Sequence, residues 1–139
     1  MPTIREAYGA VAARLLIDLT RIVSVTFLQD EDPATTADLV LICAALMMGQ
    51  TERKPMTATK VAASIGMPRP SVIRKLRVLH MRGIVARDGK TAWRIAIEHG
   101  QIEARAAALF ENGVRILRRA ADEVSKLDAQ LVAAPEPRT

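Results

Sequence analysis

Residues 3 to about 28 carry apolar side chains on a helical beat. Ile4, Tyr8, Val11, Leu15, Leu19 and Ile22 recur at steps of three and four, with Arg5, Glu6, Arg14, Asp18 and Arg21 between them. The β-branched end, IVSVTF, gives that helix a soft boundary, and QDEDP follows as an acidic turn in which Asp30, Glu31 and Asp32 read as solvated charge. A second helix is expected from 35 to about 48, opened by Thr35 with Asp38 three residues on. Its run LVLICAALMM is apolar nearly all round, which places it at the centre of a fold. After the loop GQTERKP, MTATKVAASIG reads as a short helix capped by Thr57 and terminated by a left-handed Gly66.

A basic helix is then expected over about 69–82, stopped by Gly83. Two prolines, Pro68 and Pro70, stand at its mouth, where the missing N–H groups cost nothing and φ is fixed in advance. At 100° per residue, Val72, Leu76 and Leu79 fall on one side, and Pro70, Arg74, Arg77 and Met81 fall opposite, flanked by Ser71 and Val78. IVARDGKTAWRIAI reads as a β-hairpin with Asp88-Gly89 in its turn. Trp93, Ile95 and Ile97 alternate there with Ala92, Arg94 and Ala96, so Trp93 is expected to pack beneath the hairpin. From His99 to about 133 a last helical pattern carries a seam of Ile102, Ala106, Leu109, Gly113, Leu117, Ala120, Val124, Leu127 and Leu131. Residues 134–139 form a tail expected to be disordered.

Composition agrees with this largely helical picture. Half of the 139 residues are apolar but only 3% aromatic, which favours helices packed through aliphatic side chains in one domain over 1–139. Charge changes the picture more. Residues 50–94 hold eleven Lys and Arg against Glu52 and Asp88 alone, while the remainder of the chain has more acids than bases. Such concentration points either to a polyanion partner or to a solvated basic face. The start MPTIREAYGA lacks a signal pattern, and the apolar run at 39–48 is too short to cross a bilayer, so a cytoplasmic protein with no membrane partner is expected.

Candidate chemistry is sparse. Cys43 excludes an internal disulfide or a Cys-rich zinc site, and inside LVLICAALMM it reads as a buried inert thiol rather than a redox sensor. His80 and His99 lack metal-ligand spacing, so no metal and no cofactor are expected. Met47, Met48 and Met56 read as core filler or as the lining of an adaptable pocket. No catalytic triad, P-loop or dinucleotide fingerprint appears, and the chain is not read as an enzyme.

Short helix, Gly turn, basic helix, Gly and hairpin follow one another in the order of a winged helix-turn-helix. VAASIGMPRPSVIRKLRVLHMRGIV resembles bacterial winged-helix transcriptional regulators, over residues 57–97. With helices on either side, at 3–49 and 98–133, the overall layout resembles the MarR family, while the recognition stretch is similar to ArsR- and IclR-like regulators. ArsR metal sensors use several thiolates, which Cys43 alone does not supply.

The resemblance implies a mainly α fold with a small β-hairpin, and long terminal helices that dimerise. It also implies double-stranded DNA as partner, and a small-molecule effector for which the residues give no chemistry. The last pattern would reach about 50 Å, more than one domain of this size needs, which also argues for a homodimer over a back-folded monomeric bundle. Helix 69–82 would enter the major groove, with Arg69, Pro70, Ser71, Arg74, Lys75 and Arg77 facing DNA. A wing over 84–97 would bring Arg87, Lys90 and Arg94 to the backbone or minor groove. The resulting expectation is a homodimeric, sequence-specific DNA-binding regulator, a repressor. The alternative is a winged helix for protein contact, or a nonspecific architectural DNA binder.

Overall fold

The computed structural model describes residues 1–96 and 100–133; the expectations placed on Ile97, His99 and the tail at 134–139 fall outside the described residues. Helices α1 (Ile4–Phe27) and α2 (Pro33–Thr51) come first, followed by β1 (Met56–Thr57), α3 (Ala58–Ile65) and α4 (Arg69–Met81). Strands β2 (Val85–Asp88) and β3 (Ala92–Ile95) then lead to α5 (Gly100–Ala133). The fold is mainly helical with a small antiparallel sheet, and it divides into two compact units.

The larger unit, Val23–Ala106, holds the core. Leu39, Ile42 and Leu46 of α2 meet Val61 of α3, Val72, Leu76 and Leu79 of α4, and Val85 and Trp93 of the sheet, all buried. The inner stripe expected of the basic helix is thus its packed face. Helix α2 is apolar and long enough to cross a membrane by length and composition, but its apolar centre is spent on this core.

Helix α2 starts two residues earlier than its sequence suggests, because Asp32 rather than Thr35 caps it. The Thr35 N–H donates to Asp32 Oδ1 at 2.8 Å and the Thr35 hydroxyl to Oδ2 at 2.9 Å, with Pro33 opening the first turn. These bonds hold the Asp32 carboxyl below its ordinary value. Glu31 is not merely solvated either. Glu31 Oε1 lies 2.7 Å from Arg82 Nη2, and Arg82 also reaches the Phe27 carbonyl, so the turn is fastened to the end of α4. Met56 is buried as core filler, whereas Met47 and Met48 point outward, against expectation, because they lie on the side of α2 away from the core.

At α3 the expected caps are in place. Thr57 Oγ1 accepts from the Lys60 N–H at 3.2 Å, and Gly66 closes the helix at φ 68°, a conformation that favours glycine. The sheet has three strands in the order β1-β3-β2, one more than the hairpin read from sequence. Strand β1 is only two residues long, pairing Met56 with Trp93 and Thr57 with Ala92, and so short a strand carries no alternation to be read. Beyond it, the Ile95 N–H donates to Gln50 Oε1 at 2.7 Å.

The smaller unit pairs the first part of α1, through Ile22, with α5 from Ala107. The two run antiparallel. The Tyr8 hydroxyl donates to Asp128, Arg14 Nη1 lies 3.2 Å from Glu123, and Ile22 packs near Gly113. Val11 and Leu15 face Ile116 and Ala120 around a small cavity of about 130 Å³. Leu117 and Leu131, assigned to the seam from sequence, are instead exposed, because the side of α5 toward α1 runs through Ile116 and Ala120.

Candidate nucleic-acid interface

Helix α4 begins at Arg69, after Pro68 in an extended conformation (φ −59°, ψ 136°), with Pro70 in its first turn. No side-chain hydrogen bond caps this end among the described residues, and the prolines fix φ at its entry. Because Val72, Leu76 and Leu79 are fully buried, the helix cannot roll, and Pro70, Arg74, Arg77 and Met81 are held on its exposed side.

Beside α4 the sheet adds a second source of cations. The register pairs Arg87 with Trp93, which puts both on one face of the hairpin, and the Arg87 guanidinium sits 4.1 Å from the centroid of the Trp93 ring. His80, near the end of α4, meets the same ring edge-on at 5.7 Å, while its Nδ1 lies 3.2 Å from the Val85 carbonyl. Trp93 is therefore buried under the wing, as expected, and also orients one of its arginines.

The two sources converge. A concavity of about 480 Å³ is lined by Arg69, Arg77, Arg87 and Lys90, over a floor of Ile73 and Trp93. Thr57, Ala58, Thr59 and Thr91 complete it, and the Thr59 hydroxyl accepts from Arg69 Nε at 3.0 Å. No acidic residue among the described residues lines it. Four guanidinium or ammonium groups around one open hollow, with hydroxyls beside them, make a surface suited to phosphate oxygens.

Not every sequence candidate belongs to this hollow. Arg74 lies outside it on the outward face of α4, its Nη2 3.4 Å from Ser71 Oγ, with Pro70 exposed one turn before. Lys75 turns inward: its Nζ is 2.6 Å from Asp38 Oδ2, and the side chain is only 22% exposed. Arg94 pairs with Ala86 in the register, on the face of the sheet opposite Arg87, and donates to the Ile95 carbonyl. Thr59 and Thr91 escaped sequence reading, since a threonine in a helix's first turn or a hairpin looks like ordinary local structure.

Burial pushes the Cys43 thiol up to about 12, so it is protonated at neutral pH and a poor nucleophile.

Helix α3, the Gly66 turn and α4 form a helix-turn-helix, with four cations around the hollow beside it. Comparison with known families makes this specific: residues 50–89 match the IclR helix-turn-helix domain, a DNA-binding domain of bacterial transcriptional regulators and not an enzyme family. The match takes in β1, α3, α4 and β2 and leaves the long terminal helices outside. No curated protein matches the chain.

Proposed function

We propose that this protein is a homodimeric, sequence-specific transcriptional regulator of MarR-like layout, acting as a repressor in the cytoplasm. The observation that carries the reading is the convergence of Arg69, Arg77, Arg87 and Lys90 on one hollow beside the exposed face of α4. In this reading α4 lies in the major groove. Arg74, on the outer face near its N-terminal end, reads base edges with Ser71, while Arg87 and Lys90 of the wing and Arg69 beside Thr59 grip phosphates. Lys75 and Arg94 drop out as direct contacts, the first because Asp38 neutralises it and the second because of its face of the sheet.

The dimer is supported by α5. Phe110, Leu117 and Leu131 are exposed, and with the half-buried Val124 they recur every seven residues, the repeat of a helix that pairs with another helix. Leu16 and Ile17 of α1 add exposed apolar surface to the same unit. A second copy is the natural partner, since two recognition helices bind a palindromic site far better than one.

Two substitutions separate the assigned roles. Arg74→Ala is expected to cost ~1–3 kcal/mol on the preferred sequence and to relax preference at one base position. Arg87→Ala is expected to weaken all duplexes alike and to reduce the salt slope by about 1. Titrations of matched and scrambled duplexes read both effects. Equal losses on both duplexes for both variants would remove the base-reading role of Arg74, and retention of no duplex at all would favour a protein-binding winged helix.

A further inference from the structure

The outward stripe of α4 is not uniformly basic. At 100° per residue, Pro70, Arg74, Arg77 and Met81 fall within about 60° of one another, so one line along the helix runs apolar, cationic, cationic, apolar. Met81, the last residue of α4, is 88% exposed. Among the described residues from β1 to β3 it is the one large apolar side chain left in water; the others are buried in the core or partly covered beside it.

The packing does not call for methionine there. Val72, Leu76 and Leu79 complete the inner face of α4, and the end of the helix is held without residue 81. Arg82 is paired with Glu31 at 2.7 Å, and the Gly83 and Ile84 N–H groups donate to the His80 and Leu79 carbonyls at 3.0 Å. Met81 is thus a flexible apolar side chain on an anchored piece of backbone, aimed away from the protein. A charged residue at this place would serve the fold equally well and water better.

Its neighbours on the stripe say what it meets. With Arg74 at a base edge, Met81 stands seven residues further along, about 10 Å on the helix axis or about three base-pair steps. Phosphate oxygens would be served by another cation, as Arg77 serves the hollow. The apolar group that the standard base pairs present in the major groove is the 5-methyl of thymine, and an unbranched thioether can settle against it.

We propose that Met81 reads the 5-methyl group of a pyrimidine, about three base pairs from the base contacted by Arg74. The contact rests on the DNA-binding reading of α4. Contact with a methyl group alone ignores the hydrogen-bonding edge of the base, so thymine and 5-methylcytosine both supply it. Either is favoured over its unmethylated counterpart, uracil or cytosine, and methylation of a cytosine at this position raises affinity.

The full chain is titrated with a duplex and with the same duplex carrying uracil for one thymine at a time, a change that removes only the methyl group. At one position uracil is expected to weaken binding about fourfold, the worth of burying one methyl group. Cytosine and 5-methylcytosine placed there in turn should differ by the same factor. Both differences should vanish in Met81→Ala, at an exposed position where truncation spares the fold, and persist in Met81→Leu, which keeps an apolar tip. A methyl effect for thymine but not for cytosine would support the contact and confine its source to thymine. Binding with no methyl effect at any thymine, or with one that survives unchanged in Met81→Ala, would overturn this inference alone. A protein that retains no duplex would overturn the DNA-binding reading and the contact with it.

Discussion

Between 50 and 200 mM salt, the affinity of this protein for duplex DNA is expected to fall by roughly 10³–10⁵. Each phosphate neutralised releases condensed counterions, so the logarithmic slope counts the cations that reach the backbone. The structure offers Arg69, Arg77, Arg87 and Lys90 in the hollow, which for two copies gives about eight, within the roughly 6–10 contacts that such a loss requires. Lys75 and Arg82 are not counted, since Asp38 and Glu31 neutralise them within the fold. Fluorescence anisotropy with a labelled duplex at four or five salt concentrations measures the slope. A nearly flat dependence would mean that the basic hollow does not face phosphate.

Truncation at the centre of α4 should be the most damaging single change to the fold. Leu76 is fully buried between α2, α3 and the sheet, and Leu76→Ala is expected to lower stability by ~2–5 kcal/mol through lost burial and the cavity left behind. That is a large share of the ~5–15 kcal/mol by which domains are stable. Met81→Ala, at the exposed end of the same helix, should change stability by no more than about 0.5 kcal/mol. Urea denaturation of the two variants checks the contrast, and similar losses in both would contradict the packing of α4 through Val72, Leu76 and Leu79.

Much of this was legible in the sequence where one local rule decides a position. The stripe of Val72, Leu76 and Leu79, the Thr57 cap and the left-handed Gly66 each follow from spacing or from the demands of a helix end, and each is found in place. Less legible were features that depend on a distant partner. A helical wheel gives the direction of Lys75 but not the carboxylate of Asp38 waiting beside it, and the charge of Glu31 does not announce Arg82, fifty-one residues away. Register decided Arg94. Read as a string of basic residues, the hairpin offers Arg87, Lys90 and Arg94 together, but pairing Arg87 with Trp93 and Arg94 with Ala86 sends two of them to opposite faces. Strand β1 was hidden because it borrows its identity from β3. Met47 and Met48 misled because a helix apolar all round looks buried all round, whereas α2 has core on one side only.

The long helices show the same division between local rule and partner. Apolar recurrence along α5 was plain, but which of two adjacent stripes meets α1 was settled only by the chain's own packing, through Ile116 and Ala120. Phe110, Leu117 and Leu131 were thereby left outward, and this leftover stripe is what the proposed second copy would cover.

Sequence-specific binding by a dimer is tested most directly by selection of the purified full chain against a pool of random duplexes, sequenced after retention at 50 and 150 mM salt. The expected result is a palindromic motif with half-sites about 10 bp apart, one for each copy of α4. Failure to retain any duplex at either salt concentration would contradict DNA recognition by this protein.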